Sequence, residues 1–247
     1  MKLLLFTKKN NVYNPFIEKC RKLFPTVKIV FSEDHLKRKH ESYKEFFQEL
    51  QNYEPDVILS FYYNKLIQKE IVSLSKIASL NFHGSLLPNY AGSHTINWQI
   101  LNGERQSGVT LHELTNKFDA GKILIQKKFL INDTDDANDV LKKGVCCSCN
   151  ILDDLLAKLR NGTKLEYKDQ VVVKNIFKCK KRTPRDGEIK KSMFPYQVKN
   201  LSRALVKPWP GVYYYDVNNN KIQIDRVLSI KECEDILKEI SYKYDKT

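Results

Sequence analysis

Ile77-Ala78-Ser79-Leu80-Asn81-Phe82-His83-Gly84-Ser85-Leu86-Leu87-Pro88 begins as a short apolar strand and runs into a loop interrupted by glycine and proline. Three similar β-prone runs precede it, at residues 2–6, 27–31 and 57–61, and the segments 15–23 and 35–51 between them carry helical spacing. Strands that alternate with helices predict a mostly parallel sheet with crossover helices, so the chain reads as α/β. The strand over 77–82 then delivers Asn81 and His83 to the carboxyl edge of that sheet, where open α/β folds hold their ligands.

Further along, the loop 84–92 leads into an expected helix over 93–101 with Ser93 as its cap. Residues 107–114 and 122–131 read as two more strands, and Asp119 falls in the connection between them. A long helical pattern ends near Arg160, and Asn161-Gly162 marks the expected end of a catalytic domain over 1–162. The remaining 163–247 read as a smaller extension. It holds a helix near 196–206, a β-hairpin over 211–227 turned at 218–220, and a charged helix near 231–240.

At 247 residues, 42% of them hydrophobic, the chain is long enough and apolar enough to bury a full core, which excludes a disordered or repeat protein. No run approaches membrane-spanning length, and the apolar start Met1 to Thr7 is too short for a signal peptide. The expected location is therefore the cytoplasm, with no membrane partner. Six cysteines are present, and Cys146, Cys147 and Cys149 cluster within one helical pattern without a second ligand pair at zinc spacing. They read as buried free thiols, and no metal is expected. The formal charge of +13 raises nucleic acid as a partner. The basic residues are scattered, however, and the densest piece, 178–185, has no stacking motif beyond it, so a solvated basic surface is favoured over a nucleic-acid groove.

Asn81, His83 and Asp119, the last 119 − 83 = 36 residues past the histidine, supply an amide, an imidazole and a carboxylate. Those groups hold an oxyanion, move a proton and orient the ring that moves it. Each taken alone has a plain structural explanation: a strand end, a satisfied buried histidine, an Asx turn. Their joint occurrence with Ser85-Leu86-Leu87-Pro88, Gly108-Val109-Thr110 and Asp119-Ala120-Gly121-Lys122-Ile123 resembles the active-site signature of the folate-dependent formyltransferases, over about residues 77–126.

That resemblance implies a Rossmann-like formyltransferase domain with N10-formyltetrahydrofolate as formyl donor and Asn81, His83 and Asp119 as the catalytic residues. It also implies that the folate lies beside Leu80, Ser85, Leu86 and Asp119. The stretch Arg182-Thr183-Pro184, Asp186-Gly187 and then Arg203 to Gly211 is similar to the sugar-nucleotide N-formyltransferases, including the formyltransferase part of the enzyme acting on UDP-4-amino-4-deoxy-L-arabinose. By that likeness the substrate is a nucleotide-linked deoxyamino sugar, best taken as dTDP-4-amino-4,6-dideoxyglucose, in surface-polysaccharide (O-antigen) synthesis, and the enzyme is a homodimer joined through its C-terminal piece.

Lys8, Lys9 and Asn10 follow the first strand, where the purine-pathway relative holds its substrate's phosphate, although the glycine-bearing loop of that relative is absent here. They are candidates for a sugar-nucleotide diphosphate, and an ordinary exposed basic turn explains them equally. His94 and Arg182 complete the candidate substrate contacts. Trp209 and Tyr213-Tyr214-Tyr215 suit either stacking on a ligand or packing of the hairpin, the latter favoured for Trp209. The 36 residues after Gly211 leave room for a hairpin and a helix rather than a tRNA-binding barrel. Two other readings stay open: glycinamide ribonucleotide transformylase, and a catalytically silent folate- or RNA-binding module.

Overall fold

In the computed structural model, which describes residues 1–171 and 175–245, four parallel strands form one side of a six-stranded sheet. They are β1 (Lys2–Thr7), β2 (Thr26–Phe31), β3 (Val57–Phe61) and β4 (Ala78–His83). Helices α1 (Asn14–Leu23), α2 (Tyr43–Tyr53) and the short α3 (Lys69–Val72) lie between them in sequence. After the two-residue strand β5 (Ala91–Gly92) and helix α4 (Thr95–Leu101), the chain returns as β6 (Gln106–Glu113) and β7 (Ile123–Leu130). The sheet order is β2-β1-β3-β4-β6-β7, with β4 and β6 antiparallel.

This is the α/β architecture expected from the alternation, because β1 from Leu3 to Thr7 and the whole of β3 are buried on both faces and mostly apolar, as central parallel strands are. Leu4, Phe6, Ile58, Val30, Leu50, Ile67 and Ile71 form one core beneath α2 and α3. The segment 35–51 departs from expectation: α2 starts only at Tyr43. Residues 35–42 are drawn off by contacts of their own. Arg38 pairs with Glu70, and His35 Nδ1 sits 2.6 Å from the Tyr63 hydroxyl, so the basic run Lys37-Arg38-Lys39 stays outside the helix.

The long α5 (Ala137–Arg160), the two-residue β8 (Lys178–Cys179), α6 (Pro195–Ala204), the hairpin β9 (Val212–Tyr215) and β10 (Lys221–Ile224), and α7 (Ile230–Asp245) follow. The hairpin turn is built as its sequence predicts: Asp216 Oδ1 accepts from the backbone N–H groups of Asn218 and Asn220 at 2.9 and 2.7 Å. By packing, the chain forms two compact units that are discontinuous in sequence. The first comprises Met1–Ala91, Gly108–Phe129 and Lys142–Lys178; the second comprises Gly92–Ser107, Leu130–Leu141 and Cys179–Thr247.

In the second unit α6 packs on α4 and α7. Its buried Arg203 donates to the backbone carbonyls of Asp135 and Asn132 at 2.8 and 2.7 Å, so a charge placed in an interior is satisfied by three acceptors, Asn200 Oδ1 being the third. Tyr213 and Tyr214 are buried in the hairpin and Tyr215 is exposed. No helix of the described residues is long and apolar enough to cross a membrane.

Candidate active site

The first unit gathers its polar side chains at the carboxyl end of β4. Antiparallel pairing sets Asn81 opposite His112 and His83 opposite Thr110, so the alternate positions 81 and 83 of β4 share a face with 110 and 112 of β6. His83 is buried. Its Nδ1 lies 3.2 Å from Asp119 Oδ1 and its Nε2 lies 2.9 Å from the carbonyl oxygen of Tyr90. Both ring nitrogens thus face acceptors, an arrangement that suits the doubly protonated imidazolium. Burial pushes the His83 pKa down, but the hydrogen bond and charge of Asp119, aided by Tyr90, outweigh it and leave it above the ordinary 6.5.

His112 does the opposite. Burial, then repulsion from His83, pushes its pKa down to about 4, against weaker pulls from Asp119 and the Glu113 carbonyl. Its Nε2 is 3.0 Å from Asn81 Nδ2 and 3.9 Å from Asp119 Oδ1. One carboxylate therefore stands between two histidines and keeps the proton on the nearer ring. His112 is absent from the motif-based candidates. Its strand alternation with Thr110 was readable, but the register that sets it opposite Asn81 was not.

Asp119 is held in place by backbone rather than by a helix or strand. Its φ of +53° lies in the left-handed region, which Asp tolerates better than most residues. Gln170 Nε2 donates to the carbonyls of Asp119 and Gly121 at 2.7 and 2.8 Å, closing the turn. Gly121 is required by close approach: a Cβ there would lie 2.0 Å from the Glu113 carbonyl oxygen. The motif Asp119-x-Gly121 thus reflects a loop pressed onto the end of β6.

The loop after His83 is fastened in the same way. Ser85 Oγ donates to the carbonyl of Asn89 at 2.8 Å, the Ser85 carbonyl accepts from Thr110 Oγ1 at 2.6 Å, and Gln126 Nε2 donates to the Leu87 carbonyl at 2.8 Å. Gly108 lets Leu86 lie flat across β6, since a Cβ at 108 would meet Leu86 Cδ2 at 2.4 Å. Among the residues expected beside the folate, the Leu80 and Ser85 side chains are fully buried and Leu86 is partly exposed.

Lys8, Lys9 and Asn10 line a different cavity of the first unit, about 460 Å³, with Asn11, Asn14, Ile17, Arg21 and Phe31. Lys9 makes a 3.7 Å ion pair with Asp34, and Asn10 Oδ1 accepts from Val12 N–H at 2.9 Å as the cap of a short 3₁₀ turn. Phe6 pairs with Ser60 and Ser60 with Asn81, so the end of β1, which Lys8 follows, lies two strand intervals, about 10 Å, from the end of β4. His94 and Arg182 meet in the second unit. Arg182 N–H donates to His94 Nδ1 at 3.2 Å, and its guanidinium stacks 4.8 Å over the Trp98 ring and donates to the Asp186 carbonyl at 2.7 Å. Trp209 is half-buried.

The cysteine expectation needs correction at two positions. Cys20, Cys147, Cys179 and Cys233 are buried free thiols, but on the same helix Cys146 is exposed and Cys149 only partly buried. Among the described residues no group of three His, Cys, Asp or Glu side chains is placed to hold a metal ion.

The formyl transferase family model matches residues 3–152, more than half of the chain. A 166-residue region is 39% identical to the bifunctional polymyxin resistance protein ArnA of Wigglesworthia glossinidia brevipalpis; it makes up 67% of this chain and 25% of that protein, so the match spans about a quarter of that relative's length. The 4-N formyltransferase of Francisella tularensis superposes with a TM-score of 0.70 at 16% identity, over 92% of this chain and 98% of that one. The N-formyltransferase of Helicobacter canadensis, solved with folinic acid and dTDP-3-aminofucose, gives 0.62 at 24% identity, over 83% and 80%. At those identities the structural likenesses establish the fold.

Proposed function

The chain belongs to the formyl transferase family, whose donor is N10-formyltetrahydrofolate, and from that premise we propose that it formylates the primary amine of a nucleotide-linked deoxyamino sugar. The observation that carries the chemistry is the His83 imidazole held between the Asp119 carboxylate and the Tyr90 carbonyl in a buried site. The residues present fit the donor: a carboxamide and an imidazolium can meet the formyl oxygen, and a carboxylate lies beside them. The bound folate supplies an activated formyl group.

Around it the protein's own residues divide the work. Asn81 Nδ2 and the charge of His83 stabilise the oxygen as it gains negative charge, a contribution worth roughly 10²–10³ in turnover per donor. The amine must lose a proton as its nitrogen bonds to carbon, and the departing nitrogen must gain one. The His83–Asp119 pair carries that proton, with Asp119 keeping the ring charged and oriented. The buried walls limit water around these groups, which strengthens each interaction.

For the acceptor, the best reading is dTDP-4-amino-4,6-dideoxyglucose. The resemblance of the stretch 182–211 to sugar-nucleotide enzymes supports it, as do the Francisella 4-N formyltransferase and the dTDP-sugar bound to the Helicobacter enzyme. The cavity with Lys8, Lys9 and Arg21 would take the diphosphate through charge-assisted hydrogen bonds, at a span from His83 that a sugar bridges. His94 and Arg182 remain candidates for contacts to the rest of the substrate. In this reading the enzyme works as a homodimer joined through its C-terminal piece.

The test is a panel of dTDP-, UDP- and GDP-linked amino sugars, with glycinamide ribonucleotide as control, incubated with N10-formyltetrahydrofolate and followed by donor consumption and product mass. Formylated amino sugar is expected, fastest with the dTDP-linked 4-amino compound. Turnover of glycinamide ribonucleotide alone would replace this reading with the purine-pathway one.

A further inference from the structure

A carboxamide is useful at an oxyanion only if its nitrogen end faces the charge. Turned over by 180°, Asn81 would present Oδ1, an acceptor, and would repel what it should hold. Some neighbour must fix the choice, and the neighbour in reach is the residue across the antiparallel pair.

We propose that His112 is a positioning residue for formyl transfer: as a neutral imidazole it accepts from Asn81 Nδ2 and locks the carboxamide with its nitrogen toward the site. This deepens the formyl-transfer reading above and rests on it. The tautomer follows from geometry. His112 Nδ1 lies 2.8 Å from the Glu113 carbonyl oxygen, which can only accept, so the ring proton sits on Nδ1. Nε2 then carries a lone pair, and it lies 3.0 Å from Asn81 Nδ2. The reversed amide would set Oδ1 against that lone pair. Of the two N–H bonds on Nδ2, His112 uses one, and Asn81 is only partly buried, so the second has access to a bound ligand.

The device works only while His112 is neutral, and the groups facing it keep it so. His83, 6.4 Å away between ring centroids, carries the positive charge on the neighbouring strand and repels a second one. Asp119, from the loop between β6 and β7, attracts a proton but sits 3.2 Å from His83 and 3.9 Å from His112. Glu113 contributes its backbone carbonyl, already engaged by Nδ1. His112 as a whole is 2% exposed. Protonation would put a donor against a donor and turn Asn81 over, so one histidine must be charged and the other neutral for the site to work.

The test compares His112→Leu, which removes the acceptor, with His112→Gln, whose Oε1 can accept from Asn81 near the place of Nε2. His112→Leu is expected to lower kcat at least tenfold with KM for donor and amino sugar within about twofold, and His112→Gln to restore kcat to within about threefold of wild type. In an Asn81→Ala background His112→Leu should have no further effect on kcat. A His112→Leu kcat within twofold of wild type, or equal impairment of both variants with a continued loss in the Asn81→Ala background, would overturn the proposal. Long-range ¹H–¹⁵N spectra of the wild type give an arm independent of activity: a neutral, Nδ1-protonated His112 at pH 6 supports it, and an Nε2-protonated or charged ring refutes it. A wild-type protein that formylates no amine overturns the formyl-transfer reading, and the tautomer spectrum then decides the Asn81–His112 bond by itself.

Discussion

Two places along one sheet edge hold the first unit's functional candidates under opposite conditions. At the end of β4, Asn81, His83, His112 and Asp119 are close-packed, with both histidines buried and shifted in opposite directions. At the end of β1, Lys8 is half-buried and Lys9 exposed, and both line a cavity. Burial makes each hydrogen bond and charge in the first region consequential, since removing one partner strands another. The second region is bathed in solvent, where single charges contribute little and salt screens them. In the proposed reading, chemistry belongs to the dry site and capture to the wet one.

The largest expected effect tests the dry site directly. His83→Ala or Asn81→Ala should lower turnover by roughly 10²–10³ in protein that is still folded at the assay temperature, measured under saturating donor and acceptor. Comparable loss from Lys8→Ala would abolish the contrast between the regions.

The two histidines should also pull stability apart as pH changes. His112 has a depressed pKa when folded, so acidification from about 6.5 towards 4 protonates the unfolded chain first and costs stability, up to about 3 kcal/mol, which His112→Gln should remove. His83 has a raised pKa, so the stability from its pairing with Asp119 is fully present below about 6.5 and is lost as pH rises through the folded value. Denaturant melts at steps between pH 4 and 8 read both slopes; slopes of the same sign would refute the one-charged, one-neutral arrangement.

Gly121→Ala sharpens the comparison from the loop side. The added Cβ cannot coexist with the Glu113 carbonyl at 2.0 Å, so the loop carrying Asp119 must shift, costing about 1–3 kcal/mol and displacing the carboxylate. Turnover should fall and the His83 midpoint should drop toward 6.5 by NMR titration. The smallest effect belongs to the wet site. Lys8→Ala with Lys9→Ala should raise KM for the amino-sugar nucleotide several-fold without changing kcat, and the difference should shrink in higher salt.

The same contrast explains what the sequence made legible. The strands over residues 2–6, 27–31, 57–61 and 77–82 stand out as short, mostly apolar runs, most clearly in the central β1 and β3, and they emerge within a residue or two of their observed ends. Helix α2 was overextended because 35–42 holds no Gly or Pro to mark a boundary, while the ion pair to Glu70 that draws Arg38 away comes from a distant segment. At the site, Asn81, His83 and Asp119 were visible as a local motif. His112 and Gln170 were not, since their partners are set by strand register and loop return, 31 residues away in one case and 51 in the other. Lys8 and Lys9 carry little signal by themselves, because a charged turn looks the same whether or not it meets a ligand.

The account's central claim is tested most directly by mixing the purified protein with N10-formyltetrahydrofolate and dTDP-4-amino-4,6-dideoxyglucose and weighing the sugar product, beside the His83→Ala variant. Wild-type protein should yield the N-formyl sugar at a rate at least a hundredfold above the variant. Equal rates from the two proteins would contradict it.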